Sequence, residues 1–339
     1  MAKTTTKKTA LITGITGQDG AYLAEFLLDK NYHVVGLYRR SSHDLPNNII
    51  HLLSEIKLIK GDLTDPVSLV EAIKNNQPDE IYNLAAQSHV AESWRTTSQT
   101  LEVTGHGPLR LFDAVRQTES KAKIYQASSS EMFGKPVEIP QSEKTPFYPA
   151  NPYAAFKLLA HNLAHIYRNS YDMFIACGIL FNHESPRRGM GFVTQKVTYG
   201  AACAKLGIKR SEYLNEENEP IVKDGKLAMG NLESKRDWGF AGDYVEAMWL
   251  MLQQKDPTDY IVATGETHTI SELCEEAYKY VGLDYKKYVF TDPKFVRPVE
   301  TGPLVGDASK IKKELGWMPK TTFKQLVKMM VDAHLAKLR

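Results

Sequence analysis

The chain has 339 residues, with 42 Lys and Arg residues against 40 Asp and Glu residues, so its net charge at pH 7 is only +2. Hydrophobic residues make up 42% and charged residues 24% of the sequence, a composition that is typical of globular proteins and excludes bulk disorder. The near neutrality provides no overall field for binding nucleic acid or membranes, and the length suggests two domains, or one large α/β unit with an additional lobe.

The cysteine pattern and the N-terminal segment indicate the compartment. Cys177, Cys203 and Cys274 are scattered without Cys-x-x-Cys spacing, which argues against a disulfide framework or a cysteine-rich metal site. Residues 1–9 are polar and lack the apolar stretch of a signal peptide, and no run of 18 apolar residues occurs. We therefore predict a cytoplasmic protein with no metal site and with neither nucleic acid nor membrane as a partner.

Apolar runs alternate with amphipathic segments along the first 180 residues. This alternation is typical of βαβ units, so the predicted fold class is α/β, with a doubly wound parallel sheet in a Rossmann domain. Strands are predicted at 9–13, 33–38, 56–60, 80–84, 123–127 and 174–180, and helices at 22–29, 67–75 and 109–116.

The second half of the chain has a different pattern. More loop residues and charges follow residue 182, especially over 209–224, which indicates a smaller mixed α/β lobe that binds substrate. A helix at 241–253 and a strand at 260–264 predict a return to the first domain, and the last helices are predicted at 271–281, 308–315 and 323–338. The predicted Rossmann domain therefore comprises 1–181 with a return segment at about 240–265, and the lobe comprises 182–239 and 266–339.

A glycine-rich segment, Gly14-Ile15-Thr16-Gly17-Gln18-Asp19-Gly20, directly follows the first strand. Glycines at this spacing let the backbone approach a pyrophosphate, while the N-terminus of the next helix supplies N–H donors. An ordinary glycine-rich turn is the alternative for the segment in isolation. Its place between a strand and a helix favours a dinucleotide site.

The ends of the next strands predict which dinucleotide binds. The second strand ends in Tyr38-Arg39-Arg40-Ser41-Ser42, where an NAD site usually has Asp or Glu. Guanidinium groups and hydroxyls suit a 2′-phosphate, so NADP is favoured over NAD, with a solvated basic loop as the alternative. Asp62 and Leu63 after the third strand, and residues 84–88 after the fourth, are weaker candidates for cofactor contacts.

Candidate catalytic groups follow the fifth strand. Ser129 and Glu131 lie at its end, and Asn151 and Pro152 predict the start of a helix that carries Tyr153 and Lys157. Tyr153 and Lys157 are four residues apart and share a helix face. The ammonium is expected to lower the phenol's pKa from about 10, enabling proton exchange with a substrate hydroxyl. An ordinary amphipathic helix is the alternative.

Together these motifs resemble the extended short-chain dehydrogenase/reductase family, which contains nucleotide-sugar epimerases and dehydratases. Within that family, the similarity is greatest to the GDP-mannose 4,6-dehydratases and extends nearly from end to end. The stretch 182–189, Asn-His-Glu-Ser-Pro-Arg-Arg-Gly, is much more specific than the glycine loop. Further matching segments are 11–20, 39–42, 87–90, 126–131, 146–149, 178–181, 236–239 and 297–300.

The resemblance implies an NADP-dependent enzyme that converts GDP-mannose to GDP-4-keto-6-deoxymannose, the first step towards deoxysugars of the GDP-fucose or GDP-rhamnose type. Hydride would leave C4 while Tyr153 accepts the O4 proton. Glu131 would remove the C5 proton and protonate the departing 6-hydroxyl, and the hydride would return to C6. Ser129 stands where this family usually has Thr, and its hydroxyl can make the same hydrogen bond.

The resemblance also implies binding residues and a homodimer or homotetramer. A tyrosine expected to contact the cofactor is replaced by Gln99. For His183, a purely structural role is the alternative. The implied cofactor contacts are Gly14, Thr16, Gly17, Gln18, Asp19, Gly20, Arg39, Arg40, Asp62, Leu63, Leu84, Ala85, Ala86, Ser88, Tyr153, Lys157, His183 and Arg188. The implied contacts to GDP-mannose are Ser88, Glu131, Asn182, Lys196, Arg236, Arg297 and Glu300.

Other functions remain open at this point. A dehydratase that also reduces its 4-keto product, a GDP-4-keto-6-deoxymannose reductase and a nucleotide-sugar epimerase would share the fold. Glu131 argues against a simple reductase or epimerase, because neither needs an additional carboxylate. A non-catalytic NADP-binding regulatory protein is a third possibility, and the complete set of Ser129, Glu131, Tyr153 and Lys157 argues against it.

Overall fold

The structure is a computed structural model that describes residues 7–39, 47–295 and 302–339. Strands and helices alternate through the first half of the chain, as the sequence pattern predicts. The strands are β1 (Thr9–Thr13), β2 (His33–Tyr38), β3 (Lys57–Lys60), β4 (Glu80–Asn83), β5 (Lys123–Ser129), β6 (Ile175–Leu180), β7 (Asn182–Glu184), β8 (Val222–Lys223), β9 (Lys226–Met229), β10 (Lys235–Arg236), β11 (Trp238–Phe240), β12 (Tyr260–Val262), β13 (His268–Thr269) and β14 (Val289–Thr291).

Helices lie between these strands. The α-helices are α1 (Gln18–Asp29), α2 (Pro66–Asn76), α3 (Val90–Arg95), α4 (Thr97–Thr100), α5 (Gly107–Gln117), α6 (Pro152–Tyr171), α7 (Val193–Leu206), α8 (Ala241–Leu252), α9 (Ile270–Tyr280), α10 (Ser309–Leu315) and α11 (Phe323–Leu338). A π-helical turn at Leu101–His106 joins α4 to α5. No helix among the described residues combines the length and the apolarity needed to cross a bilayer.

The main sheet has seven strands in the order β3-β2-β1-β4-β5-β6-β12, and its neighbouring strands pair in parallel. Leu11 of β1 pairs with Val35 of β2 on one side and with Ile81 of β4 on the other. The strand order therefore reverses beside β1, which is the topological switch point where open α/β sheets bind their ligands.

The two faces of this sheet carry separate hydrophobic cores because successive side chains of a strand point to opposite faces. On β1, Ala10 and Ile12 belong to the core beneath α1 and α8, whereas Leu11 belongs to the core beneath α2, α5 and α6. Helices thus cover both faces, and the predicted doubly wound Rossmann fold is confirmed.

A further core lies between α7, α9 and α11, where Tyr199, Tyr278 and Met330 are buried. Short strands surround it: β8, β9 and β14 form one sheet, while β7 pairs with β11 and β10 pairs with β13. This mixed α/β part of the molecule lies beyond β6 in sequence, and the chain rejoins the main sheet at β12.

Most of the predicted elements differ from the observed ones by one to four residues at one or both ends, and three differences have a physical cause in the structure. Helix α1 begins at Gln18, four residues early, because Gly17 takes the extended N-cap conformation. Helix α7 was not predicted because it is buried on nearly all sides and therefore lacks a polar face. Strand β12 ends at Val262 rather than at 264, because the backbone N–H groups of Thr264 and Gly265 donate to the Asp237 carboxylate.

Candidate active site

A cavity of about 440 Å³ opens at the carboxyl ends of β4, β5 and β6, between the main sheet and the part of the chain that contains α7. It brings together predicted residues from widely separated parts of the sequence. The predicted site residues on its wall are Asp19, Leu84, Ala86, Ser88, Ser129, Glu131, Tyr153, Lys157, Asn182, His183, Arg188, Lys196 and Arg236.

The other described candidates lie outside this wall, in segments that follow β1, β2, β3 and β4. They are Gly14, Thr16, Gly17, Gln18, Gly20, Arg39, Asp62, Leu63 and Ala85. Because the strands are parallel, their carboxyl ends lie along one edge of the sheet, and these segments extend the edge from the cavity towards β3. Arg40, Arg297 and Glu300, like Ser41 and Ser42 beside Arg40, lie outside the described residues.

The glycine loop has room for backbone alone at two positions. Gly14 has φ +71°, and a Cβ there would lie 2.8 Å from the Ala85 backbone nitrogen. A Cβ on Gly20 would lie 2.4 Å from the Gly14 carbonyl oxygen. Gly17 begins α1 without a capping side chain. A turn this tight against the first helix fits the pyrophosphate of a dinucleotide.

Ser129 and Glu131 are oriented by the end of β5. A 3-10 turn at Ser130–Phe133 follows the strand, and the Ser129 hydroxyl accepts a hydrogen bond from the Glu131 backbone N–H at 3.2 Å. Glu131 is buried, and its Oε2 accepts a hydrogen bond from Asn151 Nδ2 at 2.9 Å. The carboxylate is thereby held on the cavity wall, two residues beyond the serine.

Helix α6 presents Tyr153 and Lys157 to the same cavity. The Asn151 side chain caps the helix by accepting a hydrogen bond from the Ala154 N–H at 2.8 Å, as the Asn-Pro pair predicts. Lys157 Nζ donates to the Ala127 carbonyl oxygen at 2.8 Å and lies 5.8 Å from the centre of the Tyr153 ring.

The expected lowering of the Tyr153 pKa by Lys157 is wrong for this arrangement. Burial dominates and raises the pKa of Tyr153 to about 12, although the Ser129 hydroxyl acts in the opposite direction. Burial also lowers the pKa of Lys157 to about 8. The ammonium is bonded to a backbone carbonyl, so Ser129 rather than Lys157 is the main group that favours the phenolate.

The same face of α6 continues with His161, whose Nδ1 lies 2.9 Å from the Ser128 hydroxyl. Burial lowers the pKa of His161 to about 4, so the imidazole is neutral at physiological pH. Lys157 and His161 therefore attach successive turns of α6 to Ala127 and Ser128 of β5. These contacts set the distance between the helix and the strand end that carries Ser129.

His183 and Asp19 form a pair on the cavity wall. His183 Nε2 lies 2.8 Å from Asp19 Oδ2, its Nδ1 lies 2.8 Å from the Phe181 carbonyl oxygen, and its ring stacks on Tyr244. Burial opposes ionisation of Asp19, but the charge and hydrogen bond of His183 outweigh it and lower the Asp19 pKa to about 2. The pair joins β7 to the glycine loop.

The opposite wall carries cations that are already bonded to the protein. Lys196 Nζ lies 2.5 and 2.7 Å from the two carboxylate oxygens of Glu216. The Arg188 guanidinium lies 3.6 Å from the centre of the Phe192 ring. Arg236 donates from Nη1 to the Lys235 carbonyl oxygen at 2.7 Å.

Several residues on the cavity wall were not singled out by sequence reasoning. Glu216 lies in the charged stretch that was interpreted only as a lobe, and its spacing of 20 residues from Lys196 carries no helical or strand signal. Glu217, Asn231, Ser234 and Lys294 complete this group of polar residues.

The main sheet is parallel and has a glycine turn at its switch point, and Ser, Tyr and Lys side chains lie on the cavity beside it. This combination defines a nucleotide-dependent α/β enzyme of the short-chain dehydrogenase/reductase class. Residues 11–330 match the family model described as GDP-mannose 4,6 dehydratase. The chain belongs to this family.

Relatives of high sequence identity agree with this family. The chain is 51% identical over 341 residues to GDP-mannose 4,6 dehydratase 2 of Arabidopsis thaliana, covering 97% of this chain and 87% of that one. It is 44% identical over 360 residues to the human GDP-mannose 4,6 dehydratase, covering 98% and 93%.

Solved structures at lower identity share the fold. RMD from Pseudomonas aeruginosa, complexed with NADPH, superposes with a TM-score of 0.79 at 22% identity, covering 98% of this chain and 100% of that one. The dTDP-glucose 4,6-dehydratase of Bacillus anthracis, in complex with NAD, gives 0.81 at 21%, covering 96% of each.

Proposed function

We propose that this protein is a hydro-lyase that converts GDP-mannose to GDP-4-keto-6-deoxymannose and water. The observation that carries the proposal is the convergence of Ser129, Glu131, Tyr153 and Lys157 on one cavity beside the glycine loop. The family membership supports the same reaction. When bound, NADP would supply the hydride acceptor and donor that this internal oxidation and reduction need.

The protein's own groups handle the protons. Tyr153, in the phenolate form that the Ser129 hydroxyl favours, accepts the O4 proton as C4 is oxidised, and Ser129 hydrogen-bonds the same oxygen. The 4-keto group acidifies C5–H, so Glu131 takes that proton and passes it to the departing 6-hydroxyl, which leaves as water. As C6 is reduced, C5 receives a proton that balances the one Tyr153 took from O4, so the only net loss is one molecule of water.

The binding residues are assigned by their places in the fold. We propose that residues 1–181 and about 240–265 hold NADP, and that 182–239 and 266–339 hold the GDP-sugar. Lys196 and Arg236 on the cavity wall are suited to a diphosphate, and Asn182 supplies a neutral amide beside them. Arg297 and Glu300, which lie outside the described residues, complete the proposed nucleotide contacts.

NADP is proposed over NAD because of the basic end of β2. Arg39 is exposed directly after this strand, where a cation would meet a 2′-phosphate, and Arg40 follows outside the described residues. Replacing Arg39 with Glu should weaken NADP binding at least tenfold and leave NAD binding nearly unchanged. Equal losses for both cofactors in calorimetry would contradict the preference.

The decisive assay is incubation with GDP-mannose and NADP without added reductant. A dehydratase forms the 4-keto-6-deoxy sugar with no net consumption of NADPH, whereas a reductase or epimerase does not. Glu131→Gln should abolish product and spare NADP binding. Wild-type protein that binds GDP-mannose but forms no product would refute the proposed function, and near-normal turnover of Glu131→Gln would refute the assigned base.

We also propose a homodimer or homotetramer in which α5 and α6 supply the subunit contacts, to be tested by sedimentation. Cytoplasmic location is proposed from the three cysteines, which are buried and unpaired.

A further inference from the structure

We propose that Asn151 is a positioning residue that couples the start of the catalytic helix to the base Glu131. The inference rests on the proposed function, because it is Glu131 as the C5 base that needs this support. It assigns to one amide two tasks that are separable by substitution: capping α6 and orienting the Glu131 carboxylate.

The two hydrogen bonds of Asn151 determine which way its amide faces. The Ala154 backbone N–H can only donate, so the oxygen of the Asn151 amide must face it, at 2.8 Å. The NH₂ group is thereby directed to the other side, where it donates to Glu131 Oε2 at 2.9 Å. The first bond therefore enforces the second. A side chain with one polar atom could cap the helix but could not also reach the carboxylate.

The hydrogen bond between Asn151 and Glu131 lies close in sequence to Tyr153 and Ser129, the residues proposed to bind the substrate oxygen. Asn151 is followed after one residue by Tyr153, and Glu131 is two residues beyond Ser129. The bond consequently connects the turn after β5 to the first turn of α6 directly beside the cavity. A donor held at fixed distance restricts the rotation of the Glu131 carboxylate, and a base that removes a carbon-bound proton requires such a fixed orientation.

Three variants separate the tasks. Asn151→Ser and Asn151→Asp keep a good helix cap, because Asn, Asp and Ser rank nearly equally there, whereas Asn151→Ala loses it. Serine is too short to reach Glu131. Aspartate would place a second carboxylate oxygen where the donor stood, about 3 Å from Glu131 Oε2, so repulsion between like charges would replace the orienting hydrogen bond.

Turnover and melting provide the readout. Asn151→Ser and Asn151→Asp should lose about tenfold or more in kcat with little change in KM, while their melting temperatures stay within about 2 °C of wild type. A loss confined to kcat separates the orientation of the base from substrate binding and from helix capping.

The proposal is overturned if Asn151→Ser and Asn151→Asp keep near-wild-type kcat, or if activity falls only in parallel with melting temperature. Either result would reduce Asn151 to a helix cap. Failure of the proposed dehydratase function is a different outcome, since in that case the wild-type protein itself binds GDP-mannose and forms no 4-keto product.

Discussion

The Asp19–His183 pair allows a quantitative prediction beside the glycine loop. Burial alone would raise the pKa of Asp19, but His183 Nε2 at 2.8 Å and a hydrogen bond from Gln18 at 2.9 Å outweigh it and lower the pKa from 3.8 to about 2. At about 1.4 kcal/mol for each tenfold change in proton affinity, the ionised Asp19 contributes roughly 2 kcal/mol to the stability of the folded protein.

The stabilisation that this ion pair gives the folded protein is lost at low pH through Asp19 and at high pH through His183. Because the pKa of Asp19 is lowered, its contribution is present above pH 3.8 and is lost as the pH falls towards 2. Burial opposes the charged form of His183, but Asp19 outweighs it and raises the His183 pKa above 6.5. The histidine's contribution is therefore complete below pH 6.5 and is lost as the pH rises through the folded-state value.

Asp19→Asn, His183→Asn and the double variant measure the coupling in a double-mutant cycle. Unfolding in urea, followed by tryptophan fluorescence, should give a coupling of about 2 kcal/mol near pH 5.5 and a smaller one near pH 9. The reasoning is refuted if the coupling near pH 5.5 is below about 0.5 kcal/mol, or if it does not decrease at the higher pH.

Three further variants test the site. Lys157→Met should abolish turnover and yet stabilise the fold against urea by about 1–2 kcal/mol at pH 7. The reason is that burial lowers the pKa of Lys157 from 10.5 to about 8, so the charged ammonium destabilises the folded protein. A lower urea midpoint than that of wild type would contradict this. Glu216→Gln should tighten GDP binding in calorimetry by about threefold or more, because it removes the charge that pairs with Lys196. Weaker binding would show that Glu216 contacts the nucleotide directly. Gly20→Ala should weaken NADP binding at least tenfold in fluorescence titrations, because the new Cβ would lie 2.4 Å from the Gly14 carbonyl oxygen. Unchanged affinity would mean that α1 shifts without any loss of binding free energy.

Local patterns were sufficient for much of the fold. Strands β1 and β2 and helix α11 have the predicted limits, because their hydrophobic periodicity and flanking residues are unambiguous. The Asn-Pro start of α6 was also predictable from capping chemistry. Helix α7 was missed for the opposite reason, since it is surrounded by the protein and its sequence carries no polar face.

The candidate site was predictable only in part. Residues such as Ser129, Glu131 and Tyr153 belong to short motifs at strand and helix ends, so their meeting at one edge follows from a parallel sheet. The Lys196–Glu216 pair and the Asp19–His183 pair depend on how distant segments pack, and no spacing in the chain indicates them. The Tyr153 pKa likewise depends on burial, which the four-residue spacing to Lys157 does not report.

The sequence by itself determined the α/β class, the glycine turn and the family, and it predicted the candidate catalytic residues, because each of these depends on local periodicity or on short motifs. Only the tertiary structure decided which charges pair, which ionisable groups are buried and how the Asn151 amide faces. The physical reason is that proton affinity and hydrogen-bond direction depend on the nearest few ångströms of surroundings, and residues far apart in the chain supply those surroundings.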